Sequence, residues 1–190
     1  MSAHSPSSTA LPLPRTGTSA PGTTAGNPFV EGVFAPVGEE LTLHNLRVEG
    51  ELPPDLDGMY VRIGPNPLKP PHTARHHWFM GDGMVHGLRL QDGKALWYRN
   101  RYIGAASVQK ALGRPPVPGQ TRGIFDTVNT NVYGHAGRIW ASVEAGPAPV
   151  QLDWELNSVR HGLFDSPPHA SLQRSPPPGS GHGGSACRLL

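Results

Sequence analysis

Residues 58–86 read GMYVRIGPNPLKPPHTARHHWFMGDGMVH. Met59–Ile63 combines aromatic and β-branched side chains in a short run, the composition of a strand. It ends at Gly64-Pro65-Asn66-Pro67, whose two prolines fix the backbone of a rigid turn. The stretch closes on Gly81-Asp82-Gly83, a second tight turn that feeds another strand, Met84–Leu90. Met84, His86, Leu88 and Leu90 then share one face. Between the turns, His77–Met80 reads as a further short strand.

The same texture continues outward. Ala95–Arg101, Thr127–Tyr133 and Arg138–Glu144 are further candidate strands, separated by Gly, Pro, Asn and Asp. Asp92-Gly93 is a two-residue hairpin signal, and His135-Ala136-Gly137 does the same before Arg138. No long helical period stands out. Short strands punctuated by turns predict an all-β fold, a sandwich or a propeller, and no clean internal repeat decides between them. Leu112–Gln120 (LGRPPVPGQ) reads as a surface loop. In Asn27–Gly50, Phe29, Val33, Phe34, Leu41, Leu43, Leu46 and Val48 are expected to dock on the outside of a sheet.

Of the 190 residues, 24 are Gly and 22 Pro, and the excess lies at the two ends. That places a folded middle, residues 27–165, between a disordered leader (1–26) and a disordered tail (166–190). The net charge of +2, with no Lys/Arg run, argues against a nucleic-acid partner. Cys187 is the only cysteine, which excludes an internal disulfide and fits a reducing, cytoplasmic compartment. No apolar run approaches the roughly 20 residues of a transmembrane segment. Residues 1–26 lack the apolar core of a secretory signal.

Ten histidines invite a metal reading, and His72, His76, His77 and His86 form the tempting group. Adjacent His76 and His77 would point to opposite faces of a strand. His72 and His76 have HxxxH spacing, but Pro70 and Pro71 precede them and no helical period surrounds them, so structural or surface roles are favoured. Asp82 could bind a cation, yet its flanking glycines favour a turn. Arg62 is read as a strand-end residue that pairs with a carboxylate in the core. No GxSxG is present, Gly81-x-Gly83 lacks the strand–helix setting of a nucleotide loop, and Cys187 has no activating neighbour. Glu144 follows the apolar run Ile139–Val143, where a carboxylate could hold the free ring N–H of a metal-ligating histidine. On the residues alone, an ordinary exposed strand-end glutamate is the better reading.

Four phrases occur in order: Asn27-Pro28-Phe29 with Pro36-Val37, GELPPDLDGMYVRIGPNP (50–67), HWFMGDGMVH (77–86) and NTNVYGHAGRIWASVEAG (129–146). Together they resemble the carotenoid cleavage oxygenase family, which includes carotenoid and stilbene cleavage dioxygenases and retinal pigment epithelium isomerase-like members. The resemblance covers about residues 27–165, with Met80 standing where the family usually carries Asp. It implies a seven-bladed β-propeller of which this chain supplies the N-terminal part, about two blades. It also implies an oxidoreductase with axial Fe(2+), held by four histidines backed by three glutamates. Such an enzyme uses O2 to cleave an alkene bond of a carotenoid, apocarotenoid or stilbene to two carbonyl products. The full-length form is then expected to be cytoplasmic or peripheral to a membrane.

Glu144 resembles the first of those glutamates, which reverses the reading above. No histidine up to His161 falls at a ligand position, so no catalytic, cofactor-binding or direct metal-ligating residue is assigned. The first ligand position falls near Arg174–Pro176, where no histidine stands, and His169 precedes it. With permitted codons chosen from Leu172 onward, reading one base later can give FSAAHPRDPDTADLHAVCY, close to the expected ligand segment. The tail is therefore expected to be frameshifted, and the chain to be a fragment that does not bind iron and is inactive alone. The alternative is a small non-catalytic β-rich binding or interaction module.

Overall fold

The computed structural model describes residues 26–72, 74–119, 126–144 and 146–164. The expected leader (1–26, apart from its last residue) and tail (166–190) lie outside them. Two four-stranded antiparallel sheets make up the described chain. The first contains β1 (Thr42–His44), β2 (Gly58–Pro65), β3 (Gly83–Gln91) and β4 (Lys94–Tyr102), in the order β1-β4-β3-β2. The second contains β5 (Asn131–His135), β6 (Arg138–Ser142), β7 (Val150–Leu152) and β8 (Ser158–His161), in chain order. One helix, α1 (Ala106–Ala111), lies between them in sequence, and two short 3-10 turns (Pro28–Val30, Gly32–Phe34) precede β1.

Both hairpin signals act as read. Asp92 and Gly93 have φ of 49° and 69°, and Ala136 and Gly137 have φ of 50° and 72°. Positive φ at both central residues matches the twist of the strands they join. The two sheets then pack face to face. Met59, Val61, Ile63, Val85 and Trp97 from the first meet Val132, Ile139, Ala141, Val150, Leu152 and Leu156 from the second sheet and its connections. Gly87 makes this approach possible: a Cβ there would sit 2.7 Å from Leu156 Cδ1 and 3.0 Å from Met59 Sδ. Each fully buried aliphatic side chain in this layer contributes about 1.5–3 kcal/mol. A smaller cluster, Met84, Tyr102, Ala105 and Val108 with Val37, Leu68 and Leu112, covers part of the first sheet's other face.

The all-β expectation holds, with four corrections. His77–Met80 is a turn, closed by the Met80 amide donating to the His77 carbonyl at 2.8 Å. Its aromatic side chains stack on one another, and its backbone joins no ladder. Thr127–Thr130 also lies outside the sheet: Val128 is buried between the two sheets, and β5 starts at Asn131. β6 ends at Ser142, so Glu144 stands past the strand. Of the segment 27–50, Val37 docks, but Val33 is 93% exposed, and Phe34, Leu43 and Val48 are also exposed.

Candidate functional site

The turns at residues 64–67 and 81–83 meet at one end of the two sheets. Asn66 is buried. Its Oδ1 accepts from the Val37 amide at 2.7 Å, and its Nδ2 donates to the Val37 carbonyl at 3.0 Å and to Tyr102 Oη at 2.7 Å. Asp82 locks the second turn to the first. Its carbonyl accepts from the Asn66 amide at 2.6 Å, and its carboxylate accepts from the Leu68 amide at 3.0 Å. Asp82 is thus a turn residue. Asn129, just before β5, donates from Nδ2 to the carbonyls of Gly81 (2.9 Å) and Phe79 (3.3 Å).

This linkage places the next residue, Thr130, beside Glu144. Thr130 Oγ1 lies 3.1 Å from both Glu144 Oε2 and Asn129 Oδ1, and its single proton serves one acceptor at a time. Glu144 is exposed, so its carboxylate retains acceptor capacity for an N–H brought to it. A groove of about 670 Å³ borders Asn129, with Pro67, Leu68, Lys69, Arg75 and Phe79 among its walls.

The histidines are dispersed. His77 packs its ring on Phe29 (centroids 4.6 Å apart) and Phe79 (4.9 Å), while the His76 carbonyl accepts from Asn27 Nδ2 at 2.7 Å. The His72 carbonyl accepts from the amides of Arg75 and His76, both at 3.0 Å. His86 is half-buried on β3, its Nδ1 2.7 Å from Tyr98 Oη. Burial, and then the charge of Arg62, hold its pKa below the ordinary imidazole value. Buried His161 directs Nε2 at the Gly104 carbonyl, 3.1 Å away. Among the described residues, no three His, Cys, Asp or Glu side chains converge where they could hold a metal ion.

Arg62 corrects a sequence expectation. It is exposed on β2, across from His86, and makes no ion pair among the described residues. A core carboxylate would have needed the opposite face, where Val61 and Ile63 meet the second sheet. Sequence reading also passed over Thr130 as the partner of Glu144, and Asn129 as the side chain that ties the entry of β5 to the Gly81 turn. Their signal is the position of Asn-Thr-Asn at the entry to β5, beside the exit of its hairpin partner β6.

The family model described as retinal pigment epithelial membrane protein matches residues 34–166. A carotenoid cleavage oxygenase of Mycobacterium tuberculosis is 47% identical over 163 residues, covering 82% of this chain and 32% of the relative. Resveratrol cleavage oxygenase 1 of Aspergillus fumigatus is 32% identical over 148 residues, covering 73% and 29%. Among solved structures, Pseudomonas brassicacearum lignostilbene dioxygenase superposes with a TM-score of 0.57 at 28% identity, covering 73% of this chain and 31% of that one. The cobalt-substituted Synechocystis apocarotenoid oxygenase gives 0.52 at 28% identity, covering 67% and 30%. The chain thus spans about a third of the length of the relatives it matches. With the four phrases falling within or beside the matched stretch, the chain belongs to the carotenoid cleavage oxygenase family, that of the retinal pigment epithelial membrane protein.

Proposed function

We propose that residues 27–165 are the N-terminal part, about two blades, of a seven-bladed propeller dioxygenase. The complete enzyme would use Fe(2+) and O2 to split an alkene bond of a carotenoid, apocarotenoid or stilbene into two carbonyl products. The observation that carries this reading is the 47% identity to the Mycobacterium tuberculosis carotenoid cleavage oxygenase, spread over 163 residues. Among the described residues no helix is long and apolar enough to cross a membrane. The complete enzyme would meet its apolar substrate in the cytoplasm or at a membrane surface.

The side chains described here do not fit an iron site. Glu144 stands just past β6, its hydrogen-bond partner is a threonine hydroxyl, and among the described residues no imidazole stands beside it. Its proposed role is to accept the ring N–H of a ligand histidine supplied by residues other than these, fixing that ring's tautomer and orientation. Until such a ring is present, Glu144 holds no metal and the chain turns nothing over. The tail beyond residue 165 is proposed to be frameshifted.

The test is to purify the chain under anaerobic iron loading. Bound iron is then measured by elemental analysis, and O2 uptake is followed with resveratrol and with a carotenoid. Iron well below one per chain with no aldehyde product is expected. Iron near one per chain with turnover would overturn the proposal. The two-sheet core favours a second reading, a non-catalytic β-rich module, because it lets these residues fold without a metal.

A further inference from the structure

We propose that the groove beside Asn129 is a binding site for a long-chain carboxylate, a molecule with an apolar chain and one anionic end. Its volume of about 670 Å³ lies within the roughly 300–1,000 Å³ that small-molecule sites occupy. The groove is built by the close approach of turns. A Cβ on Gly81 would sit 3.0 Å from the Asn66 amide nitrogen and 3.1 Å from Pro67 Cδ, so only a glycine lets the two turns come this near. Asn129 then ties the carbonyls of Phe79 and Gly81 to the entry of β5. These bonds are made without a ligand, so the groove is organised before anything enters it.

The walls divide by chemistry. Leu68, Phe79, Met80 and Ala111 supply apolar surface. Phe79 is 64% exposed and Met80 60% exposed, adjacent large apolar groups that a bound chain would cover. Lys69 and Arg75 supply positive charge, and neither makes an ion pair among the described residues. Backbone geometry brings Arg75 to the groove. The His72 carbonyl accepts from the amides of Arg75 and His76, a single helical turn that puts residues 72, 75 and 76 together on the groove wall. Among the described residues the lining holds one carboxylate, Asp82, and it already accepts from the Leu68 amide at 3.0 Å. Two unpaired cations beside one engaged acid favour an anion. A guanidinium fork matches a carboxylate through two parallel hydrogen bonds, and the apolar wall takes the chain. The apolar wall alone would accept a neutral polyene equally well, so the charge is what names the ligand class.

The experiment titrates the chain with cis-parinaric acid, a fluorescent polyene carboxylate, and with its methyl ester, both below micelle-forming concentrations. Saturable one-to-one binding of the acid is expected, tighter than that of the ester by about tenfold or more. Lys69→Gln combined with Arg75→Gln should remove that preference while ester binding persists. Phe79→Ser should weaken both ligands. Arg47→Gln, a surface cation outside the groove, should change neither. All four altered side chains are exposed, and a thermal melt of each variant checks that the fold survives. Equal binding of acid and ester, a preference that the double variant retains, or no saturable binding of the acid would each overturn the proposal. Adsorption of the chain to phosphatidylglycerol vesicles that the double variant abolishes, without saturable binding of the acid, would assign the groove to a membrane surface and overturn it as well. The site does not depend on the iron chemistry proposed above, so its failure would leave that reading to the separate test of iron content and O2 uptake.

Discussion

The role proposed for Glu144 asks nothing of stability. The side chain is exposed and meets Thr130 through one oxygen, so Glu144→Gln should change unfolding free energy by less than about 0.5 kcal/mol in a urea titration. Asn66 is the opposite case. Asn66→Ala removes three hydrogen bonds at a buried position and strands the Val37 groups and Tyr102 Oη; a loss of about 2–3 kcal/mol is expected in the same titration. His86 gives a pH signature. Its folded pKa is depressed by burial and by Arg62, so the unfolded chain binds the proton more readily. The stabilisation from keeping it neutral is present above the ordinary imidazole pKa of about 6.5 and is lost as pH falls from there toward the folded value. Thermal melts between pH 7.5 and pH 5 should show less of this decline in His86→Gln than in the parent chain. Glu144 was singled out in the sequence only through the family resemblance, because on the residues alone a carboxylate after an apolar run reads as an ordinary exposed strand end. Thr130 was not, because in sequence a threonine beside a strand reads as a β-former and its side-chain partner lies on another strand's exit.

At the scale of elements, what was legible were the long strands and the turns. β2, β3 and β4 run for eight or nine residues, enough for composition and hairpin chemistry to reinforce each other. β1, β7 and β8 span three or four residues. Their strand state comes from the neighbour they pair with, which no local pattern records. His77–Met80 misled because its aromatic content suits a strand, whereas its backbone closes a turn. The β5–β6 hairpin offers a direct test of turn chemistry. Ala136 holds φ of 50°, a conformation that costs a residue with a Cβ but is tolerated by asparagine. Ala136→Asn, giving Asn-Gly, should raise stability by about 0.5–1 kcal/mol in chemical denaturation. Gly87 tests the seam between the sheets. In Gly87→Val the added carbons meet Leu156 and Met59, and a loss of about 1–3 kcal/mol is expected.

As a whole, the described molecule has one main core, lying between two sheets. A domain of this size has limited stability to lose. Leu156→Ala, which hollows that core, should cost about 2–5 kcal/mol and abolish a cooperative melt. The architecture explains why the family could be read from sequence while the chemistry could not. The motifs between Gly50 and Gly146 are turns, strand ends and a carboxylate, the parts that shape one end of the two sheets. On the function proposed above, the side chains that would bind iron belong to other parts of the fold. The account therefore turns on what the gene encodes past Arg160. The most direct measurement is to sequence the coding DNA from that codon through several hundred bases downstream. The account predicts that a one-base shift restores an Ala-His-Pro segment and opens a long frame bearing the remaining histidine motifs. A confirmed stop with nothing family-like behind it would contradict that account.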